Sequence, residues 1–347
     1  MIGDVLTSSI LFEALKTKFP DSELVYAINS NTYPVVKDNP FIDSYIFISP
    51  EIEGSKLKFL KLLSVVRKEG FDVVIDVYAK LSSNLLSLFT GAKMKISKSK
   101  WYTSFIYSHP IQYSPVKDTE AGLAIENRMQ LLEPLKIKSG LNLKPRIYLT
   151  NEEIKEGRTY LEQRKINLNM PLFMISVLGS DQTKTYPFEF MAKVIDLIVE
   201  ETKGQILFNY IPDQENDART IYELCSKKSQ SHISFSVYGR NLREFLAITR
   251  HCSALIGNEG GAINMAKAIE IPTFTIFSPW IDKATWSIFE NEKNVSVHLK
   301  DYKPELYNSR HESSMKANAI SMYKDFSPDL FQDLLVTFLN LICTDDD

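Results

Sequence analysis

Short apolar runs alternate with amphipathic segments along most of the chain. The runs ELVYAI (23–28), SYIFI (44–48) and FDVVIDVY (71–78) predict strands, and the β-branched residues of FDVVIDVY predict a buried parallel one. Between them, KLKFLKLLSVVRK (56–68) repeats its apolar residues every three or four positions, which predicts a helix. Such alternation predicts parallel sheets with crossover helices, so the fold class is α/β.

The alternation breaks between residues 139 and 170 and then resumes. Further strands are predicted at PLFMISVLGS (171–180), QILFNYIP (205–212), HISFSVYG (232–239), SALIG (253–257) and PTFTIFSP (272–279). We therefore predict two Rossmann-like domains, residues 1–150 and 151–347, with the last helix packing back on the first domain. Open parallel sheets bind ligands beyond the carboxyl ends of their strands, so we expect the ligand in a cleft between the domains.

Composition narrows the class of protein. The 347 residues are 44% hydrophobic and 24% charged, which is ordinary for a globular protein. There is no run of about 18 apolar residues, the length that a membrane-spanning helix needs. Cys225, Cys252 and Cys343 are scattered and form no C-x-x-C pair, which argues against a disulfide framework or a zinc site and favours a cytoplasmic location.

Charge is unevenly distributed along the chain. Residues 1–150 carry 19 Lys and Arg against 15 Asp and Glu, whereas the remainder carries 21 against 28. The basic segment KMKISKSKW (93–101) predicts a solvated surface turn; the functional alternative is a landing site for an anionic acceptor or a membrane surface. No stripe of basic residues indicates a nucleic-acid partner.

The first candidate site lies at the amino terminus. Ile2-Gly3-Asp4 predicts a tight turn followed directly by an amphipathic helix, with Asp4 at the helix start. An ordinary helix cap explains a carboxylate at this position as well as catalysis does, so the residue alone leaves both interpretations open.

Two later turns combine glycine with polar residues after a predicted strand. GSDQTKTYP (179–187) offers backbone N–H groups, Ser180 and Lys184, which suits a phosphate, although an ordinary loop has the same composition. IGNEGGAINMAKAIEIP (256–272) places Gly260 and Gly261 before an Ala-rich helix, an arrangement that can hold a pyrophosphate. Because a carboxylate repels phosphate, we expect Glu259 to accept hydrogen bonds from sugar hydroxyls. The segment matches neither the Walker pattern nor G-x-G-x-x-G.

These segments, in this order, resemble the heptosyltransferases of bacterial lipopolysaccharide synthesis, family 9 of the glycosyltransferases. IGDVLTSSILFEALKTKFPDSELVYAI is similar to the opening of that family, and NPFID (39–43) and residues 71–93 to its next blocks. GSDQTKTYP resembles its G-A-(x)n-K-x-W-P loop, with Tyr186 in place of Trp. Residues 238–279 resemble its diagnostic block, which ends G-N-D-S-G-P-x-H-L-A-A-A-L-G-x-P. The resemblance implies a GT-B fold.

The resemblance also implies a mechanism. Asp4 would be the general base that activates an acceptor hydroxyl, and the sugar would be transferred with inversion of configuration from a nucleotide diphosphate sugar such as ADP-heptose. Lys184, Ser180 and the N–H groups of Gly260 and Gly261 would meet the charge of the leaving diphosphate. No metal or cofactor is expected. The acceptor would be a lipid-linked or glycan molecule reached from the cytoplasm, with peripheral contact to the inner membrane.

Three departures from the family pattern qualify this interpretation. Glu259 stands where the family has Asp, Gly260 where it has Ser, and Asn264, which we include in the donor site, where it has His. The family also has a strand of about ten residues before its I-G-D segment, so we predict that the natural reading frame continues upstream of Met1. Two alternatives remain: a catalytically silent protein that binds sugar nucleotides, and a GT-B epimerase, which the matched blocks disfavour.

Overall fold

Local sequence signals determine where individual helices begin. Thr150 starts a helix by a capping box, because its hydroxyl accepts from the Glu153 N–H at 3.2 Å and the Glu153 carboxylate accepts from the Thr150 N–H at 2.9 Å. The computed structural model describes residues 2–138, 143–308 and 312–344, so residues 139–142 of the predicted interdomain passage lie outside the described residues. The chain divides into two compact units, residues 1–146 and 147–347.

In the first unit, two parallel sheets are surrounded by helices. The strands are β1 (Val25–Asn29), β2 (Ser44–Ile48), β3 (Val73–Asp76), β4 (Met94–Lys98) and β5 (His109–Ile111). The helices are α1 (Ile2–Ser8), α2 (Ile10–Lys18), α3 (Pro50–Glu53), α4 (Lys56–Lys68), α5 (Leu81–Phe89) and α6 (Leu123–Gln130). Among the described residues, β1 pairs with β2 alone, and the second sheet has the order β3-β4-β5.

The predicted tight turn at Ile2-Gly3-Asp4 is wrong, because α1 already begins at Ile2 and Asp4 lies in its first turn. The helix ends early: the hydroxyls of Thr7 and Ser8 donate to the carbonyls of Gly3 and Asp4 at 2.7 and 2.6 Å. Such back-bonding bends helices, and here α2 starts anew at Ile10. The strand upstream of Met1 stays a prediction.

Two further expectations for the first unit need correction. β3 is a parallel strand, but it is not buried throughout, since Val73 is 37% exposed. The reason is that β3 is an edge strand of its sheet as described. The predicted surface turn at 93–101 is wrong in its first half, because β4 is the central strand and Ile96 is fully buried.

The second unit is built on one parallel sheet. Its strands are β6 (Leu172–Ser176), β7 (Gln205–Asn209), β8 (Ala254–Asn258), β9 (Thr273–Ile276) and β10 (Asn294–Val297). Its helices are α7 (Asn151–Gln163), α8 (Phe188–Thr202), α9 (Glu215–Leu224), α10 (Lys227–Gln230), α11 (Leu242–Thr249), α12 (Gly261–Ala268), α13 (Lys283–Trp286), α14 (Leu299–Tyr302), α15 (Glu312–Ala317), α16 (Ala319–Tyr323) and α17 (Gln332–Thr344). The described strands have the order β10-β9-β8-β6-β7.

Burial explains why β6 and β8 lie inside this sheet. Every residue of both strands is buried, as expected of continuous apolar runs covered on both faces. The helices contribute apolar residues at helical spacing, such as Val194, Ile195 and Ile198 of α8. The last helix, α17, packs into the same core through Phe338, whose ring centroid lies 5.6 Å from that of Phe274.

The strand predicted at 232–239 is wrong. Only Ile233 forms a bridge, to Ile206 of β7, and the chain then turns, since the Val237 N–H donates to the Ser234 carbonyl at 3.0 Å. The aromatic and β-branched residues of this segment serve side-chain packing instead. Phe235, for example, stacks on Tyr210 with a centroid distance of 5.3 Å.

Candidate active site

The loop after β6 folds back on itself and carries Lys184. Gly179 permits this, because a Cβ there would lie 2.3 Å from the Lys184 carbonyl oxygen. Asp181 caps the short 3₁₀ helix Gln182–Lys184 by accepting from the Thr183 N–H at 2.9 Å. Burial opposes ionisation of Asp181, but the hydrogen bonds from Thr183 and the charge of Lys184 outweigh it and lower the pKa of this carboxyl.

The loop after β8 starts at the same edge of the sheet. β6 and β8 are parallel neighbours with Ser176 opposite Gly257, and a Cβ at Gly257 would lie 2.4 Å from the Ser176 carbonyl oxygen. The buried Asn258 side chain joins the two loops: its Nδ2 donates to the Ser176 carbonyl at 2.8 Å, and its Oδ1 accepts from the Tyr186 N–H at 2.7 Å. The two predicted phosphate turns are therefore held side by side.

Gly260 opens the amino terminus of α12 to a ligand. Its φ of 154° and ψ of −164° lie in a region that is essentially restricted to glycine. In the part of the chain that the structure describes, no heavy atom lies within 4 Å of the position that a Cβ would occupy, outside the residue's own neighbours in the chain. Gly261 is the first residue of α12, so the free N–H groups of this helix begin directly behind an unobstructed backbone.

Lys184 and Glu259 form an ion pair where the two loops meet. Nζ of Lys184 lies 3.1 Å from Oε1 of Glu259, and the two side chains are only 24% and 10% exposed. Among the described residues, this oxygen of Glu259 has no hydrogen-bond partner of regular geometry. The arrangement leaves a buried acceptor available for a hydroxyl group, beside a cation available for a phosphate.

A small cavity lies beneath Glu259. It has a volume of about 30 Å³. Its walls are formed by Glu259, Gly260, Ile263, Asn264, Lys267, Thr275, Phe277 and Trp286. The hydroxyl of Thr275 is buried here without a hydrogen-bond partner among the described residues. The volume suits a water molecule or a single hydroxyl group, which could hydrogen-bond to the Thr275 hydroxyl and to the ion-paired Glu259 carboxylate.

The predicted donor residues thus differ in what the structure brings together. Lys184, Glu259, Gly260 and Asn264 meet at the paired loops and the cavity beneath them. Ser180 is exposed, and its hydroxyl lies 3.4 Å from a carboxylate oxygen of the adjacent Asp181. Their roles toward a ligand stay predictions.

Two residues near Lys184 were not found from the sequence, the aromatic Trp280 and the cationic Lys316. The indole N–H of Trp280 donates to the Thr183 carbonyl at 3.2 Å, which fixes the ring beside the loop. Nζ of Lys184 lies 5.6 Å from this ring centroid, and Nζ of Lys316 lies 4.9 Å from it. The local sequence around Trp280 and Lys316 gives no signal of this proximity.

Lys267 was also missed, although it belongs to the quoted glycine-rich segment. Its Nζ donates to the Ile288 carbonyl at 2.7 Å. Burial lowers the pKa of Lys267 to about 8, against the opposing effect of Glu290. Lys267 lies four residues after Ile263, so the helical period alone places the two side chains on the same face of α12.

In the first unit, Asp4 is held by an arginine that sequence reasoning did not find. Nη2 of Arg128 lies 2.8 Å from Oδ1 of Asp4, and the two side chains are 10% and 27% exposed. Arg128 is itself fixed by the Ser8 hydroxyl at 3.1 Å and the Ala124 carbonyl at 2.7 Å. The Tyr26 hydroxyl donates to the carbonyl of Val5, the residue after Asp4, at 3.0 Å, and burial raises the pKa of Tyr26 well above its ordinary value. Asp4 is therefore an oriented, partly accessible carboxylate.

Comparison with known sequences decides the family. The profile of glycosyltransferase family 9 (heptosyltransferase) matches residues 59–315. The chain belongs to glycosyltransferase family 9. This confirms the resemblance found in the sequence and makes the protein a glycosyltransferase of the heptosyltransferase type.

Individual relatives of this family 9 protein are distant but extend over most of the chain. Lipopolysaccharide heptosyltransferase 1 of Campylobacter coli is 22% identical over 285 residues, which cover 80% of this chain and 81% of the relative. Lipopolysaccharide heptosyltransferase 3 of Escherichia coli K12 is 23% identical over 285 residues, 79% of each chain.

Solved structures confirm the predicted GT-B fold class. A family 9 glycosyltransferase from Veillonella parvula has a TM-score of 0.82 at 16% identity, covering 99% of this chain and 95% of that one. The ADP-heptose lipopolysaccharide heptosyltransferase II of E. coli has a TM-score of 0.70 at 16% identity, with 98% and 96% covered. E. coli heptosyltransferase WaaC, solved with ADP-2-deoxy-2-fluoro heptose, has a TM-score of 0.62 at 12% identity, with 94% and 96% covered.

Residues 2–138, 143–308 and 312–344 offer neither a membrane span nor a cluster of metal ligands. None of the helices there combines the length and the hydrophobicity of a membrane span. No three His, Cys, Asp or Glu side chains in these ranges are grouped so that they could hold a metal ion. The predictions that no metal or cofactor takes part stay predictions.

Proposed function

We propose that this family 9 enzyme transfers a sugar, heptose by family resemblance, from a nucleotide diphosphate sugar to a lipopolysaccharide core or related surface glycan. The observation that carries the proposal is the pairing of the two loops at the edge of β6 and β8. There, Lys184 stands beside an unobstructed helix N-terminus at Gly260, which together offer a point charge and free N–H groups to a diphosphate.

The donor sugar would follow the diphosphate into the neighbouring acceptors. Glu259 would accept a hydrogen bond from a sugar hydroxyl, because its Oε1 is buried and lacks a regular hydrogen bond. Asn264 and Thr275 line the same cavity and offer further polar contacts. E. coli WaaC, with a related fold, was solved with an ADP-heptose analogue, which supports ADP-heptose as the first donor to test.

In the proposed mechanism, Asp4 takes the proton of an acceptor hydroxyl while the oxygen of that hydroxyl attacks the anomeric carbon of the donor sugar. The bond between this carbon and the diphosphate breaks, and the configuration of the carbon is inverted. Arg128 keeps the carboxylate of Asp4 oriented. Lys184, Ser180 and the N–H groups at Gly260 and Gly261 receive the negative charge that develops on the leaving diphosphate. The mechanism assigns no step to a metal or cofactor.

The first unit would then be the acceptor side and the second unit the donor side. A lipid-linked acceptor would require the enzyme to work at the cytoplasmic face of the inner membrane as a peripheral protein. The uneven charge supports this, because residues 1–150 carry the basic excess that an anionic acceptor would attract.

Calorimetric titration of ADP, GDP, UDP and CDP into the full chain tests the donor side. We expect saturable binding of one nucleotide, weakened by Lys184→Ala and unchanged by Asp4→Ala, because the two residues serve different substrates. Absence of binding for all four nucleotides would contradict the donor site and would favour a protein that has lost its donor at the altered glycine turn.

A further inference from the structure

The turn after β4 presents large aromatic side chains to solvent. Trp101 is 89% exposed, Phe105 79% and Tyr102 52%, whereas Thr103 and Tyr107 of the same turn are buried. The buried pair anchors the turn, so the three aromatic side chains project from a fixed backbone. A cluster of exposed aromatic side chains indicates an interaction surface, whereas single exposed apolar side chains are common on any protein.

A second exposed segment adjoins this turn. Nζ of Lys100 donates to the Ala79 carbonyl at 2.5 Å, which brings Leu81, 76% exposed, next to the aromatic turn. The backbone of this segment is firmly held, because the buried Asp76 accepts from the Ala79 N–H at 2.8 Å and from the Tyr107 hydroxyl at 2.6 Å. Both segments follow parallel strands, β3 and β4, at one edge of their sheet.

The chain segment that carries these side chains has charged residues of one sign. Residues 77–117 contain six lysines and neither aspartate nor glutamate. Lys80 and Lys98 are exposed, and their ammonium groups lie over the rings of Tyr78 and Tyr113 at 4.3 and 5.0 Å. A surface that mixes Trp, Tyr, Phe and Leu with lysines suits the boundary between lipid headgroups and acyl chains.

We propose that the aromatic–lysine surface, formed by Trp101, Tyr102, Phe105 and Leu81 with Lys80 and Lys98, docks the enzyme on an anionic lipid bilayer. The aromatic and leucine side chains enter the boundary region, and the lysines pair with acidic headgroups. An acidic protein partner would pair with the lysines, whereas an anionic bilayer pairs with the lysines and also takes up the exposed side chains of Trp101 and Phe105, so the bilayer is favoured.

The surface adjoins the predicted catalytic residue. Nζ of Lys98 lies over the Tyr113 ring, and the N–H of the next residue, Ser114, donates to Oδ1 of Asn127 at 2.9 Å. Asn127 directly precedes Arg128, the ion-pair partner of Asp4. Docking would therefore bring Asp4 close to the headgroup layer, where a lipid-linked acceptor presents its hydroxyl. This consequence rests on the proposed function, whereas bilayer binding itself does not.

Vesicle flotation tests the proposal. The full chain is mixed with vesicles of phosphatidylcholine, with or without phosphatidylglycerol. We expect binding to the anionic vesicles only, weakened by salt. Trp101→Ser/Phe105→Ser should reduce the partition coefficient at least about tenfold, because both anchoring side chains are lost. Lys98→Gln should reduce it about fivefold. Brominated lipids should quench the fluorescence of the parent chain but much less that of Trp101→Phe.

Matched controls separate this surface from general stickiness and from the donor site. Leu57→Ser/Leu60→Ser removes apolar side chains that are 68% and 58% exposed on α4 and should leave vesicle binding unchanged. Titration of ADP into Trp101→Ser/Phe105→Ser should give the parent affinity, so failure of the donor site and failure of docking are read separately. Equal binding to both vesicle types, no binding, or equal losses in the control variant would overturn the proposal.

Discussion

Replacing Lys184 by methionine removes the ammonium group and keeps most of the apolar stem. In the folded chain, that group lies 3.1 Å from Glu259, in a site where both side chains are mostly shielded from water. The substitution leaves the Glu259 carboxylate without its cation. A fully buried unpaired charge costs about 3–5 kcal/mol, and partial exposure of this pair lowers the expected loss of unfolding free energy to about 1–2 kcal/mol.

A double-mutant cycle isolates this contribution. Glu259→Gln removes the charge that Lys184→Met leaves behind, so the double variant should recover about 1 kcal/mol relative to the sum of the two single losses. Unfolding in urea, followed by circular dichroism, gives the free energies. Lys193→Met is the matched control, since Lys193 is exposed on α8, and its effect should stay within about 0.5 kcal/mol.

Donor affinity provides the second measurement on the same variants. A hydrogen bond to a charged group contributes about 1.5–3 kcal/mol, so loss of Lys184 should weaken ADP binding about 10–150-fold. The double variant should still bind ADP at least about tenfold more weakly than the parent, because the cation is missing. The reasoning is refuted if Lys184→Met unfolds at the parent urea concentration and binds ADP with the parent affinity.

Other substitutions give distinct signatures. Asp4→Asn should lower the rate of sugar transfer about 10²–10⁴-fold in steady-state kinetics. It should leave ADP affinity in calorimetry unchanged, and a normal rate would exclude Asp4 as the base. Gly257→Ala puts a Cβ 2.4 Å from a backbone oxygen and should cost at least about 2 kcal/mol in urea unfolding. Gly260→Ala meets no neighbouring atom, so it should cost only the backbone strain of about 1–3 kcal/mol, less than Gly257→Ala, and should also weaken ADP binding; the opposite ranking of the two losses would contradict the open backbone at α12. Burial lowers the pKa of His298 to about 4, so the folded chain should lose up to about 3 kcal/mol as pH falls from about 6.5 to 4. His298→Asn, which can still accept from the Lys300 N–H, should flatten this dependence of the urea midpoint on pH, and an unchanged pH profile would refute it.

The parallel α/β architecture was predictable because burial on both faces leaves a clear pattern. Strands such as β6 and β8 are continuous apolar runs, and helices such as α4 and α8 repeat their apolar residues at the helical period. Segment 232–239 misled the prediction because its apolar residues serve side-chain packing around Tyr210 rather than strand pairing. The apolar pattern of a single segment cannot reveal whether a neighbouring strand is available to pair with it.

The candidate site was predictable only in part, for a related reason. Lys184 and Glu259 were found because each lies in a glycine-containing loop directly after a strand. Their ion pair depends on the adjacency of β6 and β8, which no local pattern encodes. Arg128 lies 124 positions from Asp4 in the chain and carries no motif, so only the fold reveals it.

The most direct test of the central claim is a transfer assay with ADP-heptose and a lipopolysaccharide-core acceptor that lacks heptose, with the anomeric configuration of the product determined by NMR. The account predicts a glycoside with inverted configuration, formed by the parent chain and reduced strongly in both Asp4→Asn and Lys184→Met. A product of retained configuration, or equal turnover by the parent and the Asp4→Asn variant, would contradict it.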